Sequence, residues 1–151
     1  GIKLIHVTGS AEYDRVLAEL GAEDGNSFSE SSLILSYLHD MPKGLAAADL
    51  AVFRAGAVGL AELTVRGIPS ILIPYPYAAE DHQTYNARSL VTAGAARMIV
   101  DKMLTGEDLI GEIEYFLENR EELAHMASEA KALGRPNAAR DIAQLALEIA
   151  K

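Results

Sequence analysis

Residues 49–86 constrain this chain more than any other stretch. A short apolar run, Ala51-Val52-Phe53, breaks into the small-residue turn Arg54-Ala55-Gly56-Ala57. A helical pattern follows through Arg66, and Gly67-Ile68-Pro69 leads into a second apolar run over 70–74. The polar segment Glu80-Asp81-His82-Gln83 then opens another helix. Strand, tight turn, helix and strand in that order form the unit of an open parallel sheet, because parallel neighbours need a crossover. Such a sheet also builds nucleotide sites this way. The strand ends, small residues let a ligand approach the backbone, and the helix N-terminus faces the phosphates.

The rest of the chain repeats the alternation. Residues 3–9 are a β-branched run ended by glycine, which predicts a buried parallel strand. Ser10 is placed to cap a helix to Leu20, with Leu17 and Leu20 on its apolar stripe and Gly21 stopping it. A polar loop over 24–32 precedes a strand over 33–38, and Asp40 caps a short helix over 41–48 with Pro42 in its first turn. Further strands are expected at 49–53, 70–74 and 97–100, with helices at 57–66 and 82–93. From Thr105 the pattern is helical over 107–118, 120–133 and 138–150, broken at Asn119 and at Gly134-Arg135-Pro136. The expected class is α/β, a Rossmann-like open and mostly parallel sheet flanked by helices.

At 151 residues the chain holds one domain's worth of sequence, residues 1–151, and half of it is hydrophobic, enough for a core. A net charge of −9 argues against binding a nucleic-acid backbone, although a helix N-terminus on an acidic protein still holds a small anion. With no cysteine there is neither disulfide nor thiol chemistry. No apolar run reaches the roughly 18–20 residues of a membrane span. The chain opens straight into a strand without an initiating methionine, so it reads as a piece of something longer.

Several residues at the strand ends are candidates for chemistry. The turn at Arg54, with the amides of Ala57, Val58 and Gly59, is either a diphosphate cradle or a tight βα turn whose small residues pack the helix on the sheet. Glu62, one helical turn beyond Val58, sits among Leu60, Ala61 and Leu63 as the sole acid of the helix body. It is placed to accept ribose hydroxyls, against the blander alternative of a solvated helix acid. His82, Gln83 and Asn86 suit hydrogen bonding to sugar hydroxyls. Their alternative is helix capping, which Asp81 already supplies. His6 reads as a satisfied core histidine and His125 as exposed. No group of residues has metal-ligand spacing, and no serine sits on a nucleophile turn.

Taken together, His39-Asp40-Met41-Pro42, Ala46-Ala47-Ala48-Asp49-Leu50, Arg54-Ala55-Gly56-Ala57, Ala61-Glu62-Leu63, 67–74, His82-Gln83 with Asn86-Ala87-Arg88, and Ala93-Gly94-Ala95-Ala96 closely resemble the donor-binding C-terminal domain of the MurG family. These are bacterial enzymes of GT-B architecture that move N-acetylglucosamine from UDP to a lipid-linked muramyl-pentapeptide, with inversion, in peptidoglycan synthesis. The resemblance implies that the loop from Leu38 to Met41 reads uracil through backbone groups. Arg54 and the amides at 57–59 would face the diphosphate, Glu62 the ribose, and His82 and Gln83 the sugar, with Asn86 supporting them. UDP-N-acetylglucosamine is the implied ligand, with no metal or other cofactor and no catalytic residue in this chain.

The same resemblance marks departures. A glycine-rich strand-turn and first strand of the domain precede the region where this chain begins. The lipid-linked acceptor is met through an N-terminal domain that this sequence lacks. Phe53 stands where a smaller residue is expected, and Gly59 where a hydroxyl residue is common. The expectation is a partial donor domain of a cytoplasmic enzyme peripheral on the inner membrane, inactive alone. A second reading is the donor-binding subunit of a two-chain glycosyltransferase. A third is a structural remnant that rearranges or pairs with a second copy through an exposed strand edge.

Overall fold

A computed structural model describes residues 1–25 and 29–150, so residues 26–28 of the expected polar loop lie outside the described residues. The elements are β1 (Leu4–Val7), α1 (Tyr13–Leu20), β2 (Ser32–Leu35), α2 (Met41–Ala47), β3 (Ala51–Phe53), α3 (Ala57–Arg66), β4 (Ser70–Leu72), α4 (His82–Thr92), β5 (Ala96–Met98), α5 (Gly106–Glu118), α6 (Arg120–Leu133) and α7 (Ala138–Ile149). Short 3-10 turns at Ala79–Asp81 and Asp101–Met103 were not expected from the sequence. The α/β class holds, and every described strand pairing within the two ladders is parallel. The chain divides into two compact units, Gly1–Ala47 and Ala48–Lys151.

In the first unit β1 pairs with β2, from Leu4 opposite Ser32 to Val7 opposite Leu35. The apolar content of β1 predicts a buried strand, but all four of its residues are exposed, including Leu4 at 50%, Ile5 at 45% and Val7 at 39%. A parallel strand is buried only when both faces and both edges are covered. Among the described residues β1 has one partner strand. His6 is therefore exposed on this strand and is no core histidine. Helix α1 starts at Tyr13, with Glu12 rather than Ser10 at its N-cap position, and Gly21 ends it in the left-handed conformation. Of its two stripe leucines Leu17 is buried, while Leu20 is 37% exposed.

The second unit is built on the ladder β3-β4-β5. Ala51 faces Ser70 and Phe53 faces Leu72; on the other side Ser70 faces Ala96 and Leu72 faces Met98. Central β4 is buried at every residue. Ile71 packs with Phe116 of α5 and Met126 of α6, and Leu50, Ile99, Leu109, Ile113 and Leu123 close around them. Helix α3 packs on α6, and α4 on β5. Gly67 lets α3 stop without a strand-length linker. At φ 71° its N–H reaches Thr64 O, and the Ile68 N–H reaches Leu63 O, so the chain turns directly toward β4. Helix α5 begins with a reciprocal capping box between Thr105 and Asp108. No helix among the described residues is long and apolar enough to cross a membrane.

Candidate functional site

Because β3, β4 and β5 run parallel and in register, the residues that follow each strand share one edge of the ladder. Arg54 follows β3, Ile73 and Pro74 follow β4, and Asp101 lies just beyond β5. The Nη1 of Arg54 donates to the carbonyls of Ile73 (3.2 Å) and Pro74 (3.3 Å) and to the carboxylate of Asp101. Its guanidinium lies 5.7 Å from the centre of the Tyr75 ring. Arg54 is thus a brace across three strand ends before it meets any ligand, and Nε and Nη2 are the atoms left for an anion.

The N-terminus of α3 opens at the same edge. Gly56 stands at the N-cap in extended conformation and supplies no side-chain acceptor. The first intrahelical bond runs from the Leu60 N–H to Gly56 O, so the amides of Ala57, Val58 and Gly59 have no partner within the helix. Val58 is 76% exposed and leaves this turn open to solvent. One turn on, Glu62 is exposed and has no hydrogen bond or ion pair among the described residues. Free amides followed by a free carboxylate are the donor and acceptor sets for a phosphate and a diol respectively.

The two unusual residues here, Phe53 and Gly59, fit each other. A Cβ on Gly59 would stand 2.7 Å from Phe53 Cε1 and 3.1 Å from Cδ1. The large ring on β3 occupies the room that the missing side chain on α3 leaves. Read singly in the sequence, each residue looks like a loss; the structure makes them one packing unit.

Helix α4 brings the third group. Asn86 donates from Nδ2 to Ala55 O at 3.1 Å, fastening α4 to the β3–α3 turn. Gln83 accepts the Tyr75 N–H on Oε1 at 2.9 Å, which leaves its NH₂ group as the available donor. His82 Nδ1 lies 2.7 Å from Ala79 O, which makes Nδ1 the protonated nitrogen and Nε2 an acceptor in the neutral ring. The expected cap from Asp81 is not made. Asp81 stands at the N-cap with φ 54°, makes no side-chain bond to the helix backbone, and instead accepts from the Thr84 hydroxyl. Glu80 before it has φ 52°, so two consecutive non-glycine residues hold left-handed backbone just ahead of His82. Such conformations cost about 1–3 kcal/mol each and persist where their surroundings impose them.

Leu38 and Met41 lie in the first unit, and the other candidates lie in the second. The strand expected to reach residue 38 ends at Leu35, which makes 36–40 a loop. Leu38 packs on α2 at Gly44, where a Cβ would come within 2.5 Å of Leu38 Cδ2. Asp40 caps α2 as expected, accepting the Lys43 N–H at 3.2 Å, and Met41 is the first helical residue. Among the described residues, no group of His, Cys, Asp and Glu is arranged to hold a metal ion. Sequence reasoning missed Asp101 and Tyr75. Asp101 is 47 positions from Arg54, and the shared edge of parallel strands is the one signal that connects them.

Comparison with known proteins agrees with this architecture. Residues 1–145 match the model of the glycosyltransferase family 28 C-terminal domain. The chain is 49% identical over 143 residues to a Desulforamulus reducens protein named UDP-N-acetylglucosamine--N-acetylmuramyl-(pentapeptide) pyrophosphoryl-undecaprenol N-acetylglucosamine transferase, covering 93% of this chain and 38% of that protein. A Desulfitobacterium hafniense protein of the same name is 48% identical, covering 99% of this chain and 40% of the relative. The crystal structure of Acinetobacter baumannii MurG superposes with a TM-score of 0.77 at 30% identity, covering 93% of this chain and 41% of that one. The chain therefore spans about two fifths of the length of the relatives it matches.

Proposed function

Since this chain belongs to the family of glycosyltransferase family 28 C-terminal domains, we propose that it holds the UDP-N-acetylglucosamine site of an N-acetylglucosaminyltransferase of peptidoglycan synthesis. The observation that carries this reading is the edge of the β3–β4–β5 ladder. Three uncapped amides of α3 stand one turn before the unpartnered Glu62, and Asn86 fastens the His82–Gln83 turn to the same βα corner.

In this reading the amides of Ala57, Val58 and Gly59, with Nε and Nη2 of Arg54, take the diphosphate, and Glu62 accepts the two ribose hydroxyls. His82 Nε2 and the Gln83 NH₂ group meet the sugar. Transfer then joins an acceptor hydroxyl oxygen to the anomeric carbon as the bond from that carbon to the diphosphate breaks. The electron pair leaves with UDP, and the hydroxyl proton goes to a base outside this chain. The residues here stabilise the departing diphosphate through fixed amide dipoles, which need no reorganisation as charge develops. Glu62 binds and does not act as the base. The lipid-linked muramyl-pentapeptide acceptor and the attachment to the cytoplasmic face of the membrane belong to the rest of the longer protein.

Calorimetric titration of the chain with UDP and UDP-N-acetylglucosamine tests this directly. Binding of both is expected, with Glu62→Ala weakening both by roughly 10- to 100-fold, the worth of hydrogen bonds to a charged group. Saturable binding that ignores Glu62→Ala contradicts the ribose assignment, and no binding at all contradicts a donor site held within this chain.

A further inference from the structure

We propose that Asp101 is a positioning residue for the sugar end of this site: through Arg54 it fixes the segment after β4 on which Gln83 is seated. The proposal rests on the donor-site reading above for its consequence in binding, but not for its geometry.

Arg54 Nη1 carries two hydrogens and meets three acceptors, the carbonyls of Ile73 and Pro74 and the Asp101 carboxylate. The ionic acceptor is the strongest of the three, so Asp101 decides where the nitrogen sits. The Arg54 side chain is 52% exposed and that of Asp101 28%, so the acid is the better anchored partner. Its own backbone is held in a 3-10 turn by the Leu104 N–H bonding to Asp101 O. Take Asp101 away and two carbonyl contacts of 3.2 and 3.3 Å remain to hold a long cationic side chain that water also solvates.

What Arg54 holds is the start of the segment that leads to the sugar-facing residues. Immediately after Pro74, the Tyr75 ring lies under the guanidinium and the Tyr75 N–H donates to Gln83 Oε1. That bond selects which end of the Gln83 amide is free. The segment continues through the left-handed pair Glu80 and Asp81 into His82. A strained turn needs external support, and the Asp101–Arg54 brace supplies it at one end as Asn86 does at the other. Asp101 also engages Nη1, so Arg54 offers the remaining nitrogens to an anion from a fixed position.

The test is amide hydrogen exchange by NMR on the ligand-free chain, comparing wild type, Asp101→Ala and Asp101→Glu. The expected result is roughly tenfold faster exchange at Tyr75 in Asp101→Ala, from loss of a single hydrogen bond's protection. The Ile68 amide, bonded to Leu63 O at the end of α3, should be unchanged. Asp101→Glu should restore Tyr75. Unchanged exchange at Tyr75, equal acceleration at Ile68, or no recovery in Asp101→Glu overturns the proposal. In a second arm, Asp101→Ala should weaken UDP-N-acetylglucosamine more than it weakens UDP, which meets Arg54 but not the sugar-facing turn, and so change the ratio of the two dissociation constants. A ratio that stays put overturns the sugar-end assignment. Should the wild-type chain bind neither ligand, the donor reading fails and with it the consequence for the sugar, while the exchange arm still decides the brace.

Discussion

Two strands of similar length and apolar character end up in opposite environments. β4 is Ser70-Ile71-Leu72 and is buried throughout; β1 is Leu4-Ile5-His6-Val7 and is exposed throughout. Both are parallel strands. β4 has a strand on each side and the α5–α6 helices over Ile71, whereas β1 pairs with β2 alone among the described residues. Apolar content states what a strand would gain from burial, and its neighbours decide whether the gain is made.

The largest effect should come from cutting into the covered strand. Ile71→Ala removes a side chain with no exposed surface from the Phe116–Met126 cluster and should cost about 2–5 kcal/mol in denaturant unfolding. Ile5→Ala on β1, 45% exposed, should cost under about 1 kcal/mol. Equal costs would show that β1 is buried in solution.

Strand β3, which has one partner strand among the described residues, lies between these extremes, because α3 covers it through the Phe53–Gly59 fit. Gly59→Thr should destabilise by about 1–3 kcal/mol through overpacking against the Phe53 ring. Phe53→Ala in the same chain should recover most of that cost, a coupling that a double-mutant cycle in thermal unfolding measures. Simple additivity would refute the complementarity.

A smaller change, of opposite sign, is expected at the start of β4. The Ser70 side-chain hydroxyl is buried with no hydrogen-bond partner among the described residues, so Ser70→Ala should raise stability by roughly 0.5–1 kcal/mol. His6→Ala on exposed β1 should leave the unfolding midpoint unchanged.

A pH-dependent effect lies at β5. Tyr115 donates its hydroxyl to Glu122, and Arg97 of β5 pairs with Glu122 at 3.0 Å and lies over the Tyr115 ring. The Tyr115 bond, ahead of the Arg97 charge, holds the Glu122 carboxyl below its ordinary 4.5, against partial desolvation. The same bond holds the Tyr115 phenol above its ordinary 10.0. A lowered carboxyl stabilises the fold above its unfolded value and loses that contribution as pH falls through the folded one; a raised phenol does so below 10.0 and loses it as pH rises further. Wild type and Tyr115→Phe should therefore differ in melting temperature between these limits and converge outside them. A gap independent of pH would place the effect in packing instead.

The sequence made element order legible because the punctuation is local. Gly21 and Gly67 stop helices, Asp40 and Thr105 start them, and Asn119 divides α5 from α6. Most of the second unit's candidate site was legible too, since a small-residue turn, a lone helix acid and a polar helix start carry their chemistry in adjacent residues. What stayed hidden was long-range. The exposure of β1 depends on its having one partner strand among the described residues, the Phe53–Gly59 fit joins two elements, and Arg54–Asp101 joins residues whose sole relation is the common edge of parallel strands. The Asp81 cap failed for a local reason, because left-handed backbone at 80 and 81 turns its carboxylate to Thr84 instead.

The most direct test of the central claim is an amide NMR titration of the whole chain with UDP-N-acetylglucosamine, following backbone and side-chain signals together. The account predicts the largest shifts at the amides of Ala57, Val58 and Gly59 and at the side-chain amides of Gln83 and Asn86, with β1 unmoved. Shifts centred elsewhere, with the α3 N-terminus silent, would contradict it.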